Sequence, residues 1–273
     1  MTDFNRVDAM SIIPRAQLAN ADLSGADFSG KDLYRADLSG ANLSGAQLSG
    51  TGLLSANLSG ANLKGANLKK ADLRGVSLKG ADLTQADLTG AYLFRADLQG
   101  CNLTGANLTD TVMKVALYDS NTQWPEGFRY KSSGAVGPGA SLNGAYLNTA
   151  NLKDADLSGA MMFGAYLSGA NLQGANLAGA GLSGANMQKV FLIGANLRGV
   201  NLAGAELQRA DFRGTNLTDT NFSEVGSIAG ADFSGTVGLS DENRAKLLGH
   251  AAAELDEWNA FTRQTTRQSL EKG

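Results

Sequence analysis

The chain has one cysteine, one histidine and three prolines in 273 residues. A single thiol, Cys101, excludes an internal disulfide framework and fits a reducing compartment. A single imidazole, His250, excludes a histidine pair, a histidine-based triad other than one built on that residue, and a multi-histidine metal cluster. Aromatic residues make up 7% of the chain, too few for a conventional core of this size. Charge of one sign is also missing: 23 basic and 26 acidic residues leave a net −3, with no global attraction to nucleic acid or anionic lipid. No apolar run approaches the ~18 residues a membrane-spanning helix needs. The opening MTDFNRVDAMSIIPR carries acids early and lacks the apolar stretch of a signal peptide, so the expected compartment is the cytosol.

Glycine, in contrast, is abundant at 35 residues, without the proline that collagen or a flexible linker would carry. Its placement is periodic. Residues 16–115 divide into twenty consecutive five-residue units (AQLAN, ADLSG, ADFSG, KDLYR and so on) with no gap. The centre of every unit is apolar, from Leu18 to Met113, and the residue two before it is Ala in fifteen of the twenty. A second run begins at residue 140 and keeps register for seventeen units to residue 224, with centres from Leu142 to Phe222. One extra residue then enters at VGSIAG, and ADFSG follows at 231–235.

A period of five fits neither common element. On an α-helix, leucines five apart spiral around every side. On a strand, an odd period sends successive leucines to opposite faces. A backbone that turns a corner every five residues lets each centre, and the small Ala two before it, point to one axis, with Gly at the corner. Stacked coils then pair their backbone groups with the coils above and below.

These units resemble the pentapeptide-repeat family, whose unit is A(D/N)LXX, over about 195 of 273 residues. The resemblance implies an all-β solenoid, a right-handed quadrilateral β-helix with four units per coil, in two blocks of about five coils. The organisation expected is an N-terminal cap (1–15), a first repeat block (16–115), an insert loop (116–139), a second block (140–235) and a C-terminal helical cap (236–273).

Three segments depart from the repeat. Residues 1–15 hold Phe4, Val7, Met10, Ile12 and Ile13, enough apolar surface to cover an open coil. Residues 116–139 hold Trp124 and Phe128, and their YDSNTQWPEGF stretch resembles a loop of cyanobacterial-type family members. It reads either as a spacer pinned by that pair or as a recognition loop. Beyond Ser240, a helix N-cap candidate followed by Asp241 and Glu242, the positions Leu248, Ala251, Leu255, Trp258 and Phe261 or Thr262 predict one apolar helical face. That helix reads as a cap on the last coil, with a homodimer or partner contact as the alternative.

Catalytic chemistry is hard to assemble. The stretch from Gly25 to Asp32 matches a phosphate-binding loop except at its end, where Asp32 replaces Ser/Thr, and its Gly and Phe are repeat positions. Cys101 replaces an inward Ala and reads as a buried, inert thiol. The sequence assigns no catalytic, cofactor-binding or metal-ligating set, and an enzyme is not expected.

A surface for a protein partner is legible instead. With four units per coil, residues twenty apart stack, so Tyr34, Leu54, Arg74, Phe94 and Lys114 share one column beside Arg35 and Arg95. In the second block Tyr146 and Tyr166 stack, with Met161 and Phe163 on the adjoining face and Phe191 and Ile193 flanking Leu192. Aromatic residues and Arg are enriched in protein interfaces. The candidate partner-binding residues are Tyr34, Leu54, Arg74, Phe94, Tyr146, Tyr166, Phe163 and Trp124. The functional expectation is a cytosolic scaffold or regulator that binds a protein of unknown identity, with no direct nucleic-acid contact. The alternative implied by the family is a DNA-mimic modulator of a type II topoisomerase such as gyrase. The first block, with nine acids and nine bases, lacks the negative field that a mimic needs.

Overall fold

The computed structural model describes residues 14–271. The cap predicted over 1–15 therefore lies, except for its last two residues, outside the described residues. The chain forms two compact units, 1–136 and 137–273.

In the first unit every repeat contributes one short side of a coil, and bridges join residues twenty apart: Gln17 with Asp37, Asp37 with Asn57, Asn57 with Ser77, all parallel. Twenty residues at five per side make four sides per coil. The unit around Leu38 shows why the repeat needs its residue types. Ala36 N–H closes the corner onto Leu33 O (3.0 Å), and Asp37 N–H donates down to Ala16 O (2.9 Å). Leu38 N–H and Gly40 N–H donate up to Asn57 O (2.7 Å) and Ser59 O (2.9 Å). Only Ser39 N–H finds no backbone partner, and it donates to the Asp37 side chain at 3.1 Å. The Asp/Asn before each centre is thus the local acceptor for an amide the coil cannot otherwise satisfy. The same bond recurs from Ser24 to Asp22, from Lys64 to Asn62 and from Ser158 to Asp156.

Inside, Leu38, Leu58 and Leu78 are fully buried, and so are Ala36, Ala56 and Val76 two positions before them. Each corner holds a left-handed residue, as at Gly25 (φ 64°) and Lys70 (φ 55°). A turn with positive φ at its third residue allows the backbone to change direction within one unit.

The segment 116–136 is more regular than an insert. Leu117 bridges both Asp97 and Val136, and Gln123 bridges Asn102, so the coil continues here with an extra residue and an excursion. Tyr118 takes the inward centre position and is buried. Trp124 and Tyr130 stack with their planes at 3°, Phe128 lies against the indole, and Tyr118 meets both Trp124 and Tyr130 edge-on.

The second unit repeats the pattern, from the Ser141–Met161 bridge to the Asn216–Val237 bridge. Its tail is not the single amphipathic helix predicted. Helix α1 spans Asp241–Leu248, with Ser240 as its N-cap accepting from Asn243 N–H (3.2 Å), and ends at Gly249. A one-turn helix α2 (Ala252–Leu255), a two-residue hairpin (β1 Trp258–Asn259, β2 Gln264–Thr265) and helix α3 (Thr266–Glu271) follow. The buried apolar side chains of the tail are Leu247, Leu255 and Leu270, whereas Ala251, Trp258 and Phe261 are exposed. One continuous helix offers a single apolar stripe, but the last coil presents a row of open backbone groups. The folded tail meets that row at several points. Asn243 Nδ2 donates to Thr220 O (2.8 Å), Asn259 Nδ2 to Gly230 O (2.7 Å) and Thr266 Oγ1 to Ile228 O (3.1 Å). Glu254 Oε2 accepts from Ile228 N–H, and Ser269 Oγ from Phe233 N–H, both at 3.1 Å. These contacts occupy the edge onto which another strand would otherwise add.

Candidate interaction surface

The outward position of each side is the bridge residue, one before the centre, where Asp or Asn is usual. Six of the large apolar side chains that stand exposed occupy this position: Tyr92, Val112, Tyr146, Met161, Tyr166 and Val237. Each replacement gives up the local acceptor that its coil uses. Among the described residues no side chain takes up the N–H of Leu54 beyond Gly52, or of Phe94 beyond Tyr92, whereas Tyr34 N–H keeps Asp32 (2.9 Å). The second unit compensates in a different way. Beyond Met161, Phe163 N–H donates to Asn143 Oδ1 in the coil below (3.1 Å), and beyond Tyr166, Ser168 N–H donates to Asn148 Oδ1 (3.0 Å).

Tyr146 and Tyr166 stack at 4.8 Å with parallel rings, and Tyr146 is 67% exposed. Phe163, around the corner, is exposed and its ring lies against Gly181, where a Cβ would approach it to 2.6 Å. Any other residue at 181 would displace the ring. Phe191 packs edge-on to Phe261 at 6.2 Å.

In the first unit the predicted column is present but less open than expected. Tyr34, Leu54 and Phe94 are half-buried. The Arg35 guanidinium lies 5.1 Å from the centre of the Tyr34 ring, and that of Arg95 lies 5.2 Å from the centre of the Phe94 ring. Arg74 is exposed and forms a two-point contact with Asp72 (2.7 and 2.6 Å), which holds the Asp72 carboxyl below its usual range. The most exposed large apolar side chain on this face is Tyr92, at 49%, which stands one position before its centre and outside the predicted column. Its signal in the sequence is an aromatic residue in place of Asp/Asn before a centre. Trp124 is half-buried within its ring cluster, and its indole N–H makes no hydrogen bond.

Cys101 is fully buried, with Sγ donating to Leu78 O, and burial pushes its thiol up to about 12. His250 Nδ1 sits 3.1 Å from Glu254 Oε2. Among the described residues no helix is long and apolar enough to cross a membrane.

A family model described as pentapeptide repeats matches in eight copies, over residues 16–52, 53–90, 91–114, 139–169, 160–199 and 195–237. Among solved structures, HetL, a pentapeptide repeat protein involved in heterocyst differentiation regulation from the cyanobacterium Nostoc sp. strain PCC 7120, is similar at 30% identity. That match covers 83% of this chain and 90% of HetL, with a TM-score of 0.41. Another pentapeptide repeat protein of Nostoc PCC 7120, alr5209, is 36% identical over 44% of this chain and 84% of its own, with a TM-score of 0.29. QnrB1, a plasmid-mediated fluoroquinolone resistance protein, is 19% identical over 87% of this chain and 98% of its own, with a TM-score of 0.27. No curated protein matches the chain.

Proposed function

The chain belongs to the pentapeptide-repeat family, and on that premise we propose that it is a non-enzymatic scaffold or regulator, presenting rigid right-handed β-helical surfaces to a protein partner. The observation that carries this reading is the exchange of self-bonding Asp/Asn for exposed apolar residues at Tyr92, Val112, Tyr146, Met161 and Tyr166. The fold favours Asp or Asn at these positions, and the apolar side chains there bury little within their own unit. Flat aromatic faces on a backbone bonded at every coil lose little entropy when a partner covers them. A topoisomerase-directed DNA mimic is the weaker reading, since the first block is neutral and the second, through residue 235, has seven acids to five bases.

The test is recovery of a defined partner. The full chain and a Tyr92→Asn/Tyr146→Asn/Tyr166→Asn variant are used as baits in extracts of the source organism. A partner recovered by the wild type and lost with the variant supports the reading. Equal recovery by both, or no partner with either, contradicts it.

A further inference from the structure

The four sides of the first unit are not equivalent in charge. The side whose bridge residues are Asp32, Gly52, Asp72, Tyr92 and Val112 carries five of the nine cations of residues 16–115, namely Lys31, Arg35, Arg74, Arg95 and Lys114. It carries two of the nine carboxylates, so five less two leaves +3 on this side, and each of the other three sides comes to −1. All five cations are exposed. Among the described residues only Arg74 of the five is in an ion pair. All three outward aromatics of the block, Tyr34, Tyr92 and Phe94, stand on this same side. Its first and fourth units end in matching pairs, Tyr34–Arg35 and Phe94–Arg95, with the guanidinium over the neighbouring ring in both.

We infer that this side of the first unit is a docking face for an acidic polypeptide segment that also carries aromatic or aliphatic side chains. The inference rests on the interaction reading above and specifies the chemistry of the partner. The two aromatic–arginine pairs are three coils apart, about 14 Å at the usual strand spacing. An extended peptide spans that distance in about four residues and can place an acid near each guanidinium. Leu54, between the pairs, and Tyr92, in the same coil as Phe94 and Arg95, offer apolar contact. A polypeptide can also set neutral residues against Asp32 and Asp72, whereas a phosphate backbone has a negative charge at every residue and would meet both carboxylates. On a chain of net −3, a +3 side also orients an acidic partner before contact.

The probe is a fluorescein-labelled peptide of alternating Glu with Leu and Phe, titrated with the full chain and followed by anisotropy. A peptide with Lys for Glu and an oligothymidylate serve as comparisons. The acidic peptide is expected to bind, and added salt to weaken it. R35E/R95E should reduce its affinity about tenfold or more, while K64E/K79E, on two of the other sides, leaves it unchanged. No binding of the acidic peptide, an equal effect of the two variant pairs, or tighter binding of oligothymidylate would overturn the assignment. If the peptide fails while the captured partner is still lost from the Tyr92/Tyr146/Tyr166 variant, this assignment falls and the interaction reading stands. Failure of that capture experiment removes the broader reading as well.

Discussion

Asn143 Oδ1 accepts the backbone N–H of Phe163, twenty residues further on, at 3.1 Å. Most coils satisfy this amide from within the same unit. Here the local acceptor is absent because Met161 occupies its place, and the coil below supplies a substitute. Removing it with Asn143→Ala should cost about 0.5–1.5 kcal/mol. In Met161→Asp, where the local acceptor is restored, the same substitution should cost almost nothing. A double-mutant cycle read by chemical denaturation measures this coupling, and strictly additive effects would show that the two acceptors are not interchangeable.

Gly60 (φ 66°) stands at a corner with nothing within 4 Å of where a Cβ would lie. Gly60→Ala therefore isolates the backbone cost of a left-handed residue, about 1 kcal/mol. Lys70, with φ 55° at an equivalent corner, should respond in the opposite sense. Lys70→Gly relieves the strain but loosens the unfolded chain, so a gain of less than about 1 kcal/mol is expected. Denaturation midpoints at matched slope check both.

Burial raises the Cys101 thiol from 9.0 to about 12. A raised value means that the folded state favours the neutral thiol. That contribution is complete below the unfolded value and is lost as pH rises from about 9 towards 12. Cys101→Ala should remove this part of the alkaline decline and leave stability at neutral pH little changed. In the native protein at pH 8, iodoacetamide should leave Cys101 unmodified, and denaturant should expose it.

The carboxyl of Asp37 is held below 3.8, first by the Ser39 hydroxyl and then by the Ser39 backbone N–H and the Asn57 amide. A lowered value stabilises the folded state at pH above 3.8, and that stability disappears as pH falls through the folded value. Asn can accept the same backbone bond without titrating. Asp37→Asn should therefore make unfolding less sensitive to acid below about pH 4, as measured by the pH dependence of the denaturation midpoint.

Ser269 is fully buried, and its Oγ accepts Phe233 N–H at 3.1 Å. Ser269→Ala leaves that amide without a partner and should cost about 1–3 kcal/mol. Truncation after residue 239 would uncover the whole edge, and light scattering should then show self-association.

Much of this architecture is legible in the sequence because each repeat carries its own instruction. Leu38, Leu58 and Leu78 can share an interior only if the chain turns every five residues, and they do. The stacked Tyr146–Tyr166 pair follows from the same spacing. The tail was less legible. Its apolar spacing from Leu248 to Phe261 suggests one helix, but the decisive groups are Asn243, Glu254, Asn259 and Ser269, whose roles depend on open backbone groups that no local pattern reveals. Tyr92 is hidden for a related reason: the aromatic and aliphatic residues of the column after each centre, Tyr34, Leu54 and Phe94, are half-buried, whereas the exposed ring of Tyr92 stands in the column before it. The segment 116–136 looked like an insert because Tyr118 and Gln123 replace the usual residues while keeping their places in the coil.

The central claim is that Tyr92, Tyr146 and Tyr166 serve contact with a partner and not the fold. Its most direct test is the unfolding free energy of the Tyr92→Asn/Tyr146→Asn/Tyr166→Asn variant. The lost ring stacking, about 0.5–1.5 kcal/mol, should be offset by restored side-chain bonds to the N–H groups of Phe94 and Asn148, each about 0.5–1.5 kcal/mol, while Ser168 N–H already has Asn148 Oδ1. The account predicts a stability within about 1 kcal/mol of wild type. A loss of more than about 3 kcal/mol would mean that the three rings are structural and would contradict it.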